Sequence, residues 1–439
     1  MRRWWPIALL AITALFVASC TVSAAGDPSP KRPVPDPTAA KLTISDAPIF
    51  TSNDLAVHPV DTVQLAGDDT AIITSLDTGL LTAVNLATGQ VSWQLEREAL
   101  LPGDPLAIFW NGPVIATAGD MVIVPYFAKQ CSTDLCAPGE VDVSDENGYA
   151  ALSATDGTLL WKFATIPGVS DDSEEHDYIS GLVDAGAAVD QNVLVATVRQ
   201  VTGTSSPQGA QVFSIGIDLA TGTELWRVDD FAIHQIAGAV AYGVLFETVD
   251  EYNASNGVPV GLDPLTGQIL WQLTEADTGY AYAAAGPDGA LLAPAWATGS
   301  ELILRVVTAG GTELESPGTK VMFRCPQVAD TGRMACALEY LNTGATSRIL
   351  TIGDDAKSFT SEAPIPRAAQ VAYADDKYIY VNIPADSGDS SSYAADEHGN
   401  KLSRNFPGKV VATNAKYVVV LRNDSSLGGS VSVAAYSRT

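Results

Sequence analysis

LTAVNLATGQVSW (Leu81–Trp93), YAALSATDGTLLW (Tyr149–Trp161), SIGIDLATGTELW (Ser214–Trp226) and PVGLDPLTGQILW (Pro259–Trp271) are four variants of one phrase. Each runs from an alternating apolar strand through a Thr-Gly or Asp-Gly turn into a short strand that ends in tryptophan. The spacing is invariant, at Gly89/Trp93, Gly157/Trp161, Gly222/Trp226 and Gly267/Trp271. Glycine supplies the positive φ that a tight connection needs, and the preceding Asn85, Ser153, Asp218 or Asp263 is placed to hydrogen-bond local backbone.

Three further copies lack the tryptophan but keep the interval: LRVVTAGGTELES around Gly311, RILTIGDDAKSFT around Asp355 and SYAADEHGNKLSR around Gly399. From 222 the steps are 45, 44, 44 and 44 residues. A step of that size, with short alternating strands and no long helical pattern, marks a blade of four antiparallel strands in a β-propeller. After the seventh phrase come Lys409–Thr413, Lys416–Leu421 and Ser430–Tyr436, an eighth blade without its outermost strand. Lys41–Ile49 is available to fill the gap and remove the exposed edges. The reading is a single all-β propeller over residues 41–439, with eight blades and the ring closed by N- and C-terminal strands; seven blades is the alternative. On this fold Trp93, Trp161, Trp226 and Trp271 are girdle residues lying over a neighbouring blade, with the indole N–H as a donor.

Of 439 residues, 51 are acidic and 24 are Lys or Arg, a net charge of −27. That balance repels phosphate backbones and anionic lipid, which excludes nucleic acid as a main partner. The chain opens with Arg2, Arg3 and an apolar run from Ile7 to Ala18, too short for a permanent span. Its end, Val17-Ala18-Ser19-Cys20, resembles the bacterial lipobox, which implies cleavage after residue 19 and lipidation of Cys20, palmitate included. Residues 1–19 are thus expected to be a signal peptide and 20–40, with Pro28, Pro30, Pro33, Pro35 and Pro37, a lipid-anchored tether. The expected location is extracytoplasmic on the cell membrane, or on an outer membrane where the host has one. Losing Arg2 and Arg3 takes the mature charge to −29.

The other four cysteines fall into two local pairs, Cys131 with Cys136 and Cys325 with Cys336, and are expected to form disulfides in that compartment. Zinc is the competing reading, and no nearby histidine supports it. His58, His176, His234 and His398 stand singly, no HxH or HExxH spacing occurs, and no G-x-S-x-G elbow is present.

The turn phrase resembles the tryptophan-docking repeats of the pyrroloquinoline-quinone (PQQ) type propellers, most closely over 81–271. That family includes calcium-dependent quinoprotein dehydrogenases and non-enzymatic propeller lipoproteins, among them one that assists outer-membrane β-barrel assembly. The enzymes would imply a quinone and Ca²⁺ in the channel, an Asp base and, in many members, a disulfide between adjacent cysteines. This chain has no adjacent cysteine pair. No catalytic residue is carried over, and no cofactor is assigned, with Ca²⁺ or PQQ as the alternatives.

The steps from Gly89 to Gly157 and from Gly157 to Gly222 are 68 and 65 residues, so blades 2 and 3 carry insertions at Lys129–Asn147, Ile166–Asp177 and Gln200–Gly209. In an antiparallel blade these share the face opposite the Thr-Gly turns. Two acidic clusters lie within them: Asp142, Asp145 and Glu146, then Asp171, Asp172, Glu174, Glu175 and Asp177. They form a partner surface or, on the alternative reading, Ca²⁺ loops. The leading expectation is a monomeric, non-catalytic envelope lipoprotein whose propeller binds an envelope protein. A Ca²⁺-dependent PQQ oxidoreductase and a carbohydrate-binding propeller are the alternatives.

Overall fold

The computed structural model describes residues 41–439 apart from 53–59, 61, 76–77, 98, 105–106, 110–115, 130–144, 167–186, 191, 202–209, 247–256, 274–279, 295–303, 315–320, 327–332, 341–346, 353–358, 386–389 and 425–429. The expected leader, Cys20 and the tether lie outside the described residues.

Eight antiparallel sheets follow one another along the chain. Blade 1 is Thr62–Ala66, Thr70–Ser75, Leu80–Asn85 and Gln90–Glu96, in spatial order from the inside outwards. Blade 2 has its inner strand in two pieces, Ala107–Phe109 and Ala116–Ala118, both paired to Met121–Lys129, and continues with Asp145–Ser153 and Leu159–Ile166. Blade 3 is Ala187–Asp190, Val193–Val201, Ala210–Asp218 and Glu224–Asp229. Blade 4 is Phe231–Ala237, Val240–Phe246, Gly257–Leu262 and Ile269–Gln272, and blade 5 is Tyr280–Gly286, Gly289–Pro294, Arg305–Thr308 and Glu313–Leu314. Blade 6 is Val321–Arg324, Ala335–Tyr340, Ser347–Ile352 and Phe359–Ile365, and blade 7 is Gln370–Ala374, Ile379–Ile383, Ser391–Ala395 and Phe406–Pro407.

Blade 8 takes Lys409–Thr413, Tyr417–Asp424 and Ser430–Ser437 from one end of the chain and Phe50–Thr51 from the other. Phe50 pairs with Ala435 and Thr51 with Ala434, while Ile44 bridges Arg438 and Thr43 exchanges backbone bonds with Thr439. The ring therefore closes with eight blades, as the spacing predicts, and the seven-blade alternative is excluded. The closing strand lies just beyond the expected Lys41–Ile49, because Phe50 supplies the apolar side chain that the blade 8 to blade 1 interface buries.

The core is a set of apolar layers, one between each pair of neighbouring blades, blades 8 and 1 included. Central strands are buried on both faces, so alternate residues serve different layers: Ile72 packs toward blade 2, Ala71 and Ile73 toward blade 8. This is why the sequence reads as short, almost continuous apolar runs.

The repeated phrase performs its docking across these layers. Trp93, Trp161, Trp226 and Trp271 donate their indole N–H to Ala154, Leu219, Pro264 and Ala309 carbonyls of the next blade, at 2.8, 2.7, 2.9 and 2.8 Å. Each ring covers the next turn glycine; a β-carbon at Gly222, where φ is +68°, would lie 2.7 Å from the Trp161 ring. Ala154, Leu219 and Ala309 in turn donate their own N–H to the Asp120, Asn192 and Asp288 carbonyls of the inner hairpins. Pro264 has no N–H and breaks that relay in blade 4. At the seam Phe50 covers Gly89, the place a docking tryptophan takes elsewhere. Asn85, Ser153, Asp218 and Asp263 cap the turns by accepting from backbone N–H groups at 2.8 to 3.3 Å. Cys325 and Cys336 form a disulfide across the inner hairpin of blade 6.

Candidate functional site

The inner strands are built from small and apolar residues: TVQLA, AAVD, FAIHQIA, YAYAAAG, VMFR, QVAYA and KVVAT. Four of them carry a one-residue bulge at an equivalent point, leaving His234, Ala283, Ala372 and Val411 unpaired in the ladder. His234 stacks on Tyr282, with ring centroids 5.4 Å apart and planes 18° apart. The ring keeps an exposed surface, yet the protein packed around it pushes its pKa down to about 4 by desolvation. It is neutral at physiological pH.

A PQQ–Ca²⁺ pair needs several oxygen donors converging on the channel. Among the described residues the inner strands carry one carboxylate, Asp190, and no group of three His, Cys, Asp or Glu could hold a metal ion. The described residues do not fit that group, and no step is derived through it.

At the blade 7 to blade 8 seam a cavity of about 360 Å³ is lined by Asp375, Tyr378, Thr413 and Arg438 among others. Asp375 Oδ2 accepts from Arg438 at 2.7 Å and Thr413 at 3.0 Å, while its Oδ1 accepts the Lys377 and Tyr378 amides at 2.9 and 2.8 Å. Every strong acceptor position of that carboxylate is used internally. It holds the seam.

The face opposite the Thr-Gly turns is shaped by blades 2 and 3. Their two central strands are 9 residues each, against 6 and 6 in blade 1 and 5 and 5 in blade 7. The ladders start level with the other blades at Met121–Ser153 and Val193–Asp218, and run to Lys129–Asp145 and Val201–Ala210. Three extra residues at about 3.4 Å each project both hairpins roughly 10 Å farther on that face. Blade 8, with strands of 8 residues, is also long.

Asp145 and Glu146 open a strand rather than sit in a continuous acidic loop, because the ladder with Lys129 and Ala128 continues through them. Asp142, Asp171, Asp172, Glu174, Glu175, Asp177, Cys131 and Cys136 lie outside the described residues, as do Trp110 and Trp296. Two features escaped sequence reasoning. One is the interrupted inner strand of blade 2, for which the extra length before Ala116 was the available signal. The other is a set of exposed leucines, Leu160, Leu225 and Leu270, on the outer strands directly before the docking tryptophans. A bulge at each of these positions turns the side chain outwards.

The family model described as outer membrane protein assembly factor BamB matches residues 145–293, about a third of the chain. No curated protein matches the sequence. Among solved structures, BamB from Moraxella catarrhalis is 14% identical with 86% of each chain covered and a TM-score of 0.34. The computationally designed Ika8 protein is 14% identical over 88% of this chain and 99% of that one, at a TM-score of 0.48. A europium-containing methanol dehydrogenase is 11% identical over 88% and 83%, at 0.35.

Proposed function

We propose that this PQQ-like β-propeller is a non-catalytic cell-envelope lipoprotein, tethered through Cys20, that binds an envelope protein with the face built by blades 2 and 3. The observation that carries the reading is the projection of two adjacent hairpins beyond the level of blades 1 and 7 on that face. Each is stiffened by a full ladder and supports an inserted segment, 130–144 on one and 202–209 on the other. Rigidly mounted insertions supply side chains for recognition at little cost in ordering the backbone beneath them. The matching family model, named for a barrel-assembly factor, supports a protein rather than a small-molecule partner. The acidic character of 130–144, with Asp134, Glu140 and Asp142 and no Lys or Arg, favours a partner surface rich in Lys and Arg, with association that weakens as salt is added.

Replacing 130–144 by Asn-Gly joins Lys129 to Asp145 through a two-residue hairpin turn and leaves the ladder intact. The expected result is an unchanged melting temperature together with loss of the cross-linked envelope partner. Full partner recovery from this variant and from the matching 202–209 replacement would defeat the reading. Cys20→Ser is expected to move the protein from the membrane fraction to the soluble one and to abolish palmitate labelling; retention on the membrane would remove the anchor from the proposal.

A further inference from the structure

We propose that the cavity between blades 7 and 8, on the face opposite the Thr-Gly turns, binds a carboxylate carried on a short aliphatic chain, with Lys409 as its counter-charge. The proposal is independent of the insertions on blades 2 and 3.

The cavity is about 290 Å³. Gln370, Asn382, Ser390 and Lys409 form its polar side, Leu421 and Val431 its apolar one. Gln370 and Lys409 open the inner strands of neighbouring blades, opposite Asn382 and Leu421 in their ladders. The ring thus brings one ammonium and two amides to a single hole from positions far apart in sequence.

Lys409 is half-buried, and no carboxylate or carbonyl among the described residues accepts from it. Other partly buried basic groups are matched: Arg438 by Asp375, Arg333 by Glu397, Arg324 by Glu339, Lys162 by Asp104. In a chain with 51 acids and 24 bases, a partly desolvated lysine without a counter-ion among the described residues is an exception. Burial lowers its pKa, as expected where the charged form is not compensated. An anion entering the cavity supplies that compensation.

The position of the lysine is fixed. Gly408 before it has φ +95°, donates to the Ser390 carbonyl at 2.7 Å and accepts from Ser392 Oγ at 2.8 Å. A β-carbon there would lie 2.7 Å from the Leu421 carbonyl oxygen, so the strand start has one conformation. The backbone that carries the lysine side chain to the cavity is thus held in place.

One cation with neutral amide donors suits a monoanion. A phosphate dianion would meet the same single lysine against the field of a protein carrying −27, whereas a carboxylate needs one ammonium and one or two N–H donors. Leu421 and Val431 then accept an aliphatic group beside it. Both a free branched-chain acid and the C-terminal residue of a peptide carry that chemistry.

The test titrates the full chain with N-acetyl-leucine, N-acetyl-leucinamide and isovalerate, read by calorimetry and by ligand-observed NMR. Wild type is expected to bind at least one of the two carboxylates at least tenfold tighter than the amide. Lys409→Met, which keeps the length and removes the charge, is expected to lose at least tenfold for that carboxylate. Val431→Phe fills the cavity without touching the lysine and is expected to lose the same binding, which keeps the test decisive if Lys409→Met does not fold. Tighter binding of N-acetyl-leucine than of isovalerate assigns a peptide C-terminus, and the reverse assigns a free acid. No carboxylate binding, equal affinity for the amide, or binding unchanged in a folded variant overturns the proposal.

Discussion

Trp161→Ala is expected to lower the unfolding free energy by about 3–5 kcal/mol, the range for emptying a buried aromatic site. The side chain is 9% exposed, fills the layer between blades 2 and 3 and donates to the Leu219 carbonyl at 2.7 Å. Leu219 passes its own N–H to Asn192, so the tryptophan reaches through one turn to the inner hairpin of the next blade. Trp161→Phe keeps most of the apolar area and leaves that carbonyl without its donor, an expected loss of about 1–3 kcal/mol. Gly222→Ala meets the same ring and also forces a non-glycine residue to φ +68°. Its clash with the ring should be relieved in the Trp161→Ala background, leaving the 2.9 Å contact with the β-carbon at 161 and a backbone cost of roughly 1–2 kcal/mol. Urea unfolding of the two single variants and the double variant measures this. Additive losses, or a Trp161→Ala effect below about 1 kcal/mol, would mean that docking does not hold the blades together.

The second large effect belongs to the seam. Arg438→Met leaves Asp375 charged and half-enclosed beside Tyr380, with an expected cost of about 3–5 kcal/mol, the usual penalty for breaking one side of a buried pair. Burial alone raises the pKa of Asp375. The bonds from Arg438 and from the Lys377 and Tyr378 amides outweigh that and hold it below the ordinary aspartate value. The sign follows: a depressed native pKa stabilises above the unfolded value of about 3.9, and the contribution is lost as pH falls through the native value. Stability measured from pH 7 down to pH 2 should therefore show wild type and Asp375→Asn converging only in the acid range. A constant gap across that range would contradict the assignment. Because Ile44 bridges Arg438 and the neighbouring Thr43 bonds Thr439, the damage should appear first as loss of protection at the two chain ends, readable by hydrogen exchange.

Much of the fold was legible locally. A Thr-Gly or Asp-Gly turn with a capping Asn, Ser or Asp before it needs only its own few residues, and the interval between turns needs only the chain. Asn85, Asp218 and Asp263 do in the structure what their sequence positions imply. The extra length of blades 2 and 3 was also plain, since a step of 68 or 65 residues against 44 must emerge somewhere on a four-strand unit. The candidate face was legible to that extent. Less so was the form of the insertion: Asp145 and Glu146 read as part of an inserted acidic cluster, whereas their backbone pairs with Lys129 and Ala128 and extends the hairpin.

What the sequence by itself determined is the repeating unit, strand, turn and strand with a closing tryptophan in four copies, and its interval, while the choice of eight blades over seven waited for the closed ring. Only the tertiary structure decided what each unit touches. Phe50 stands where a docking tryptophan would, although nothing around it repeats the phrase, because ring closure places it over Gly89. Gln370 and Lys409 meet across one cavity for the same reason. The turns depend on interactions a few residues long, whereas neighbours across a blade interface are set by the curvature of the closed ring, which belongs to no single segment.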